Sequence, residues 1–530
     1  MTLHDFFVAA PHDDGSPVMG HYYQTASNDP ARPQVWGYTD ALSYGAGDVL
    51  RLHVTSNAAR VRLVIFKDGL DPRKMLETTI PAGFAPTPAD ASVAGCRWPE
   101  RFALPIPASW ESGVYRVRLS TPGHRSDHMF IVRAGAQRNR ILMLLATGTW
   151  AAYNDWGGSN HYQGLTGPME RSYAPHVSLL RPWAKGFVAW PKGARRIPHA
   201  SPLLEKPRYP HMEYARAQGL SKKYASSGWA AFERPFALWC EAQGIGLDYT
   251  TQHDLHRDPG ALDGYARVLI VGHDEYWTWQ MRDHLDAYTD AGGQVARFAG
   301  NFFWQTRLSD DLLTQTCFKT RAEAEDPAMH GDRRYLTSYW DHPFVARPAV
   351  ASLGLTGSAG VYAGWSRCAA HGSGGFAIYR PDHWSLRGTG LGYGDVLGAE
   401  ARIFGYEVDG IDYTMTQGLP FAAADTGLQG MLEIVGLSPA TTLAHSTGDQ
   451  DADDFIGSLD AQEVAQIIYR SLAPETVARA ARGNGAMAEY RRGQGAVFNA
   501  GSCEWVAGLI RGDRTVEQVT RTILTGVWGG

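Results

Sequence analysis

Polar and apolar residues alternate in several short stretches of the first 135 residues. Asp48 to Thr55 (DVLRLHVT), Arg60 to Lys67 (RVRLVIFK), Gly113 to Leu119 (GVYRVRL) and His128 to Arg133 each place apolar side chains on one face of an extended chain. That is the pattern of a half-buried strand. Turn residues separate the stretches: Asp68-Gly69, Pro105, Pro107 and Pro122-Gly123. The spacing predicts an antiparallel β-sandwich over residues 1–135, of immunoglobulin-like or lectin-like kind. The Pro-rich stretches 81–107 and 198–210 read as surface loops.

From residue 136 the pattern changes. Ile141 to Ala146 is continuously apolar, as is Val268 to Val271, and such runs suit strands buried on both faces of a parallel sheet. Ala230 to Ala242 predicts a helix that stops before Gly244, and Gln280 to Ala291 predicts another that stops at Gly292-Gly293. Leu247 to Thr250 and Gln294 to Phe298 read as further strands, and Asp460 to Leu472 as a helix with an aspartate N-cap. This alternation predicts an α/β domain with a mostly parallel sheet over residues 136–530.

Composition narrows the function. Hydrophobic residues make up 44% and charged residues 19%, which excludes a disordered chain. Lys plus Arg is 49 against 54 for Asp plus Glu, so no phosphate-binding footprint is visible and no nucleic-acid partner is expected. No apolar run is long enough to span a membrane, and no basic-then-apolar leader opens the chain. The cysteines are scattered without a CxxC pair and read as free thiols in a reducing compartment. These features together predict a cytoplasmic protein.

Ligands of open α/β sheets bind outside the carboxyl ends of the strands. Here those ends are polar. Thr147, Tyr153, Asn154 and Asp155 follow one strand, and His253, Asp254 and His256 another. His273, Asp274, Glu275 and Tyr276 follow a third, and Asn301 a fourth. No G-x-S-x-G, no strand-end cysteine and no phosphate-binding glycine loop is present. A hydrolase without a side-chain nucleophile takes its nucleophile from a metal-activated water. The His273-x-Glu275 spacing suits such a site; it also suits two residues that cap the following helix or pair with each other.

At these positions TWAAYNDWGG (149–158), GHDEYW (272–277), ARFAGNFFWQ (296–305) and EARIFGYEVDG (400–410) resemble the large, or beta, subunit of N,N-dimethylformamidase and its relatives, over about residues 140–510. The resemblance implies a glutamine-amidotransferase-like α/β fold and a mononuclear Fe(III) held by two tyrosines and a glutamate. Motif by motif, Tyr153 matches the first tyrosine and Glu275 the glutamate. Tyr209 is the expected second tyrosine, with Tyr214 and Tyr224 as alternatives. His273, Glu407, Asn301 and Lys319 match the catalytic groups. The expected activity is hydrolysis of a small N-substituted amide, with the iron acting as a Lewis acid. Trp150, Trp156, Trp277, Phe302 and Trp304 would then dry the site. The resemblance also implies a small subunit and a homo-oligomer. Two other readings stay open: a non-haem iron oxygenase using His273, Glu275 and a remote histidine such as His253, and a non-catalytic binding protein with a degenerate site.

Overall fold

The computed structural model describes residues 7–11, 17–135, 139–164, 173–194, 210–361, 374–441, 461–462 and 464–529. The chain forms two compact units. One comprises residues 1–139, 147–257 and 307–317, the other 140–146, 258–306 and 318–530.

After the paired strands Phe7–Pro11 and Pro17–Gln24, the first unit continues with the four strands that alternation predicts and four others. Val35–Thr39 (β1), Val49–Ser56 (β3) and Glu100–Pro105 (β6) form a sheet in the order β1-β3-β6. Ser43–Tyr44 (β2), Arg60–Lys67 (β4), Arg73–Pro81 (β5), Gly113–Thr121 (β7) and His124–Val132 (β8) form a second, in the order β2-β8-β7-β4-β5. Pairing is antiparallel except between β2 and β8. Inward residues of both sheets join one core: Leu50, Leu52 and Val54 from β3, Val61, Leu63 and Ile65 from β4, Val117 and Leu119 from β7, and Phe130 from β8. Each such aliphatic side chain contributes roughly 1.5–3 kcal/mol on burial.

One stretch departs from its loop reading. Within 81–107, Glu100–Pro105 is a strand paired with β3. It lies on a sheet edge with Pro105 at its end, a position where the missing N–H of proline costs little. Of the other Pro-rich stretch, residues 198–209 lie outside the described residues. Farther along the first unit come the helices Thr147–Tyr153, Glu233–Ala242 and Gln252–Arg257, and the strand Leu247–Thr251.

In the second unit the apolar runs become buried strands. Ile141–Leu145 (β9), Arg267–His273 (β10) and Gln294–Gly300 (β11) are joined by Phe376–Ile378 (β12), Val396–Leu397 (β13), Leu432–Thr441 (β15), Arg482–Arg492 (β16) and Gly495–Asn499 (β17); Val408–Gly410 is β14. The sheet order within this unit is β9-β10-β11-β17-β16-β15-β12-β13. The first four strands run parallel. From β17 onward the pairing is antiparallel, so the sheet is mixed rather than mostly parallel. The sequence hides this half. β16 (RGNGAMAEYRR) is small-residue-rich and buried on both faces over most of its length, so it shows no alternation. Gly493, at φ +55, then supplies the tight turn into β17.

The helix predicted over 280–291 spans Trp279–Asp290, and the Thr278 hydroxyl accepts from Met281 N to cap it. Near the predicted helix 460–472, Asp460 lies outside the described residues. Ala465–Tyr469 is a π-type turn that ends at Arg470 in the left-handed region. Among the described residues no helix is long and apolar enough to cross a membrane.

Candidate metal centre

The carboxyl ends of β10 and β11 and the segment entering β14 supply the candidate site, all within the second unit. His273 ends β10, and its register partner on β11 is Gly300. The chain leaves β11 at Asn301 with φ 63 and reaches Glu407 through Tyr406 with φ 38. Non-glycine residues with positive φ are uncommon and mark places where the surroundings hold the backbone. Gly300 is required by close approach. A Cβ there would lie 2.5 Å from the Glu407 carbonyl oxygen and 2.9 Å from Cys503 N. Cys503 N donates to that same Glu407 carbonyl at 3.1 Å, which ties the Glu407 segment to the turn after β17.

His273, Glu275 and Glu407 are all buried, and their ligand atoms lie within 4.8 Å of one another. His273 Nε2 is 2.8 Å from Glu407 Oε2 and 3.3 Å from Glu275 Oε2. Asn301 Nδ2 donates to Glu407 Oε2 and stands 3.2 Å from His273 Nε2. Tyr406 sets its ring edge-on to the His273 imidazole, with centroids 5.1 Å apart.

The electrostatics follow from burial and partners. Burial opposes a charge on His273, but Glu407 and Glu275 outweigh it and hold the imidazole up at about 10. Burial pushes the Glu407 carboxyl up, against the pull of His273 and Asn301. A single N–H at Nε2 cannot serve two carboxylates well, whereas a cation can sit among all three donors. Two buried carboxylates also need positive charge nearby. The donor set therefore fits a metal ion. Among the described residues this is the one cluster of histidine, cysteine and carboxylate side chains that does. Its third member is a glutamate, so it is not a two-histidine, one-carboxylate set.

The family model described as N,N-dimethylformamidase beta subunit-like, C-terminal, matches residues 61–517. The chain belongs to the N,N-dimethylformamidase beta subunit-like family. A search of curated proteins returns no match. The match begins inside β4, so it takes in most of the N-terminal sheets as well as the α/β region.

In this N,N-dimethylformamidase-like chain, His273, Glu275, Asn301 and Glu407 come together as neighbours. Lys319 opens a short 3-10 turn, buried, with its amine 4.9 Å from the centroid of the Trp304 ring. Trp304 N in turn donates to the Glu275 carbonyl at 2.9 Å. Tyr153 belongs to the first unit. It ends the helix Thr147–Tyr153, buried, with its ring 4.4 Å from that of Tyr162 and the Lys223 amine 5.2 Å above it. Tyr209 lies outside the described residues. Of its alternatives, Tyr224 is fully buried against Trp190, and Tyr214 lies on the helix Pro210–Ala217.

The aromatic residues divide by role. Trp156 packs edge-on against Trp36 and Trp98, and Trp150 donates to Glu233, both inside the first unit. In the second unit Trp277 donates to Asp274, and Phe302 meets it edge-to-face. Arg297 and Asp409, which bear on the site, escaped the sequence reading. The available signal was an arginine inside the otherwise apolar strand QVARFAG.

Proposed function

We propose that this protein is a metal-dependent amidohydrolase that cleaves a small N-substituted amide to a carboxylate and an amine. The observation that carries the proposal is the buried His273–Glu275–Glu407 cluster in a chain of the N,N-dimethylformamidase-like family. Of this cluster Glu275 would hold the metal, leaving His273 and Glu407 for proton transfer; the family resemblance implies Tyr153 and Tyr209 as the other ligands and mononuclear Fe(III) as the ion. A metal held there supplies Lewis-acid activation of the amide carbonyl and of water.

The remaining steps belong to side chains. Glu407 accepts a proton as water adds to the carbonyl carbon. Asn301 and Lys319 steady the charge on the carbonyl oxygen. His273, held protonated by its two carboxylate neighbours, gives its proton to the nitrogen as the C–N bond breaks. The 2.8 Å contact between Glu407 and His273 then returns the proton taken from water to the imidazole, and the pair is reset. In this reading Trp277 and Phe302, in sequence beside the cluster, would supply apolar surface for an N-alkyl group.

The fold reading that accompanies this function is an N-terminal β-sandwich over 1–135 and a glutamine-amidotransferase-like domain over 136–530. The setting is cytoplasmic, in a homo-oligomer with a small subunit. The test is metal analysis and a visible spectrum of the purified protein, followed by amine release from a panel of N-alkyl formamides and acetamides. About one iron per chain, a tyrosinate charge-transfer band and amine release support the reading. Protein without iron or amine release after expression in ample iron overturns it in favour of a binding protein.

A further inference from the structure

The second unit contains a second set of buried charges, one step behind the candidate metal centre. Arg297 lies in the middle of β11, and its side chain and those of Asp274 and Asp409 have no exposed surface. Arg297 Nε donates to Asp274 Oδ2 at 3.2 Å, and Nη1 donates to Asp409 Oδ2 at 2.6 Å and to Asn499 Oδ1 at 3.1 Å. Nη1 also reaches the Ala299 carbonyl at 3.1 Å.

Each carboxylate has a second oxygen engaged elsewhere. Asp274 Oδ1 accepts from Trp277 Nε1 at 2.8 Å, and Asp409 Oδ1 accepts from Phe302 N at 3.0 Å. The sequence positions show what these bonds join. Asp274 stands between His273 and Glu275. Phe302 follows Asn301. Asp409 lies two residues after Glu407. Each of His273, Glu275, Asn301 and Glu407 is thus within two residues of a member of this network.

We propose that Arg297 is a positioning residue that sets the spacing of His273, Glu275, Asn301 and Glu407 by clamping the three segments that carry them. The inference rests on the metal-dependent reading given above. The planar guanidinium suits the task because its N–H groups point in fixed directions, here toward carboxylates on two different segments. A lysine in its place offers one flexible point charge and cannot hold both. The bonds also oppose the backbone strain. Asn301 and Tyr406 have positive φ, and the contacts of Phe302 and Asp409 with the network hold the chain on either side of the cluster. Residues that orient metal ligands in this way are worth about 10–100-fold in metal affinity.

The experiment compares full-length wild type with Arg297→Lys and, separately, Asp274→Asn. Fold is judged by near-UV circular dichroism. Iron retention is measured against a graded chelator, and the visible spectrum of the iron-loaded protein is recorded. The expected result is a native near-UV spectrum with iron retention weakened about 10–100-fold and a shifted visible band. Folded variants that retain iron like wild type and show its spectrum overturn the inference. If Arg297→Lys does not fold, Asp274→Asn decides alone, because it keeps the side-chain shape and removes only the charge. Wild type that takes up no iron removes the proposed function and this inference with it. Wild type that binds iron, beside folded variants that bind it equally, removes the inference alone.

Discussion

His253 follows a buried strand and His273 ends one, and both are buried, yet their surroundings drive them to opposite charge states. His253, in the first unit, bonds through Nδ1 to the Thr147 hydroxyl at 2.8 Å, and its Nε2 has no hydrogen-bond partner among the described residues. The neighbouring Asp254 carboxylate is occupied by Ser43, Thr251 and Arg133. Burial prevails, and the His253 imidazole falls to about 3. His273, in the second unit, faces two carboxylates and rises to about 10. The same contrast separates two other buried charges. Lys222 in the first unit is brought down to about 7 by burial, despite Asp155. Arg297 in the second has its pKa raised because Asp409 and Asp274 outweigh the burial. Burial alone extinguishes charge, whereas burial with directed partners retains it, and only the second condition suits a cation site.

The largest expected effect breaks the comparison at the proposed chemistry. Glu407→Gln should lower amide turnover by about 10²–10⁴-fold, read as amine release, since it removes a proton acceptor. A variant that keeps more than a small fraction of the rate would take Glu407 out of the mechanism. Next come the two histidines themselves. His273→Gln should lose bound iron or its native spectrum, whereas His253→Gln should keep both. Iron loss in the His253 variant alone would reverse the assignment of the two sites.

The pH dependence of stability sharpens the contrast, because the two histidines contribute slopes at opposite ends. The folded-state value of His253 lies below the unfolded value, so below about pH 6.5 the unfolded chain binds more protons. Its contribution is lost as the pH falls from there toward 3. The folded-state value of His273 lies above the unfolded value. The stability it adds to the metal-free protein is complete below about pH 6.5 and is lost as the pH rises through 10. Each slope is at most about 1.4 kcal/mol per pH unit. Urea midpoints of the metal-free wild type and of His253→Gln at pH 7 and pH 5 should converge less steeply with acid in the variant. Identical slopes would show that His253 titrates normally in the fold.

A smaller signal is expected on metal addition. Tyrosine hydroxyls must lose their protons to hold the ion, so iron binding near pH 8 should release protons, measured by titration in buffers of different ionisation enthalpy. The smallest effect is the control. Arg51→Ala breaks an ion pair with Glu100 that is largely in solvent, and its urea midpoint should match wild type within error.

Much of this was legible before folding was considered. The strands Val49–Ser56 and Arg60–Lys67 alternate because one face meets a core and the other meets water. Ile141–Leu145 and Val268 to Val271 are continuously apolar because both faces are covered. The antiparallel half of the large sheet was not legible. Its longest strands are glycine- and alanine-rich or buried over most of their length, and β12 and β13 are too short to show a period. At the site, the motifs marked His273, Glu275, Asn301 and Glu407 as polar residues beside apolar strands. Arg297 was hidden for the opposite reason, being a charge inside an apolar run whose partners lie 23 and 112 residues away.

The sequence by itself determined the two kinds of strand, the family and the residue types that chemistry at the strand ends would use. All of these depend on local pattern and on residues in fixed order. Tertiary structure decided which histidine keeps its proton, which carboxylates converge, and what holds them there. Those outcomes depend on distances between segments far apart in the chain. The 2.8 Å contact between Glu407 and His273 is what distinguishes a charged, cation-ready cluster from a buried neutral ring like that of His253.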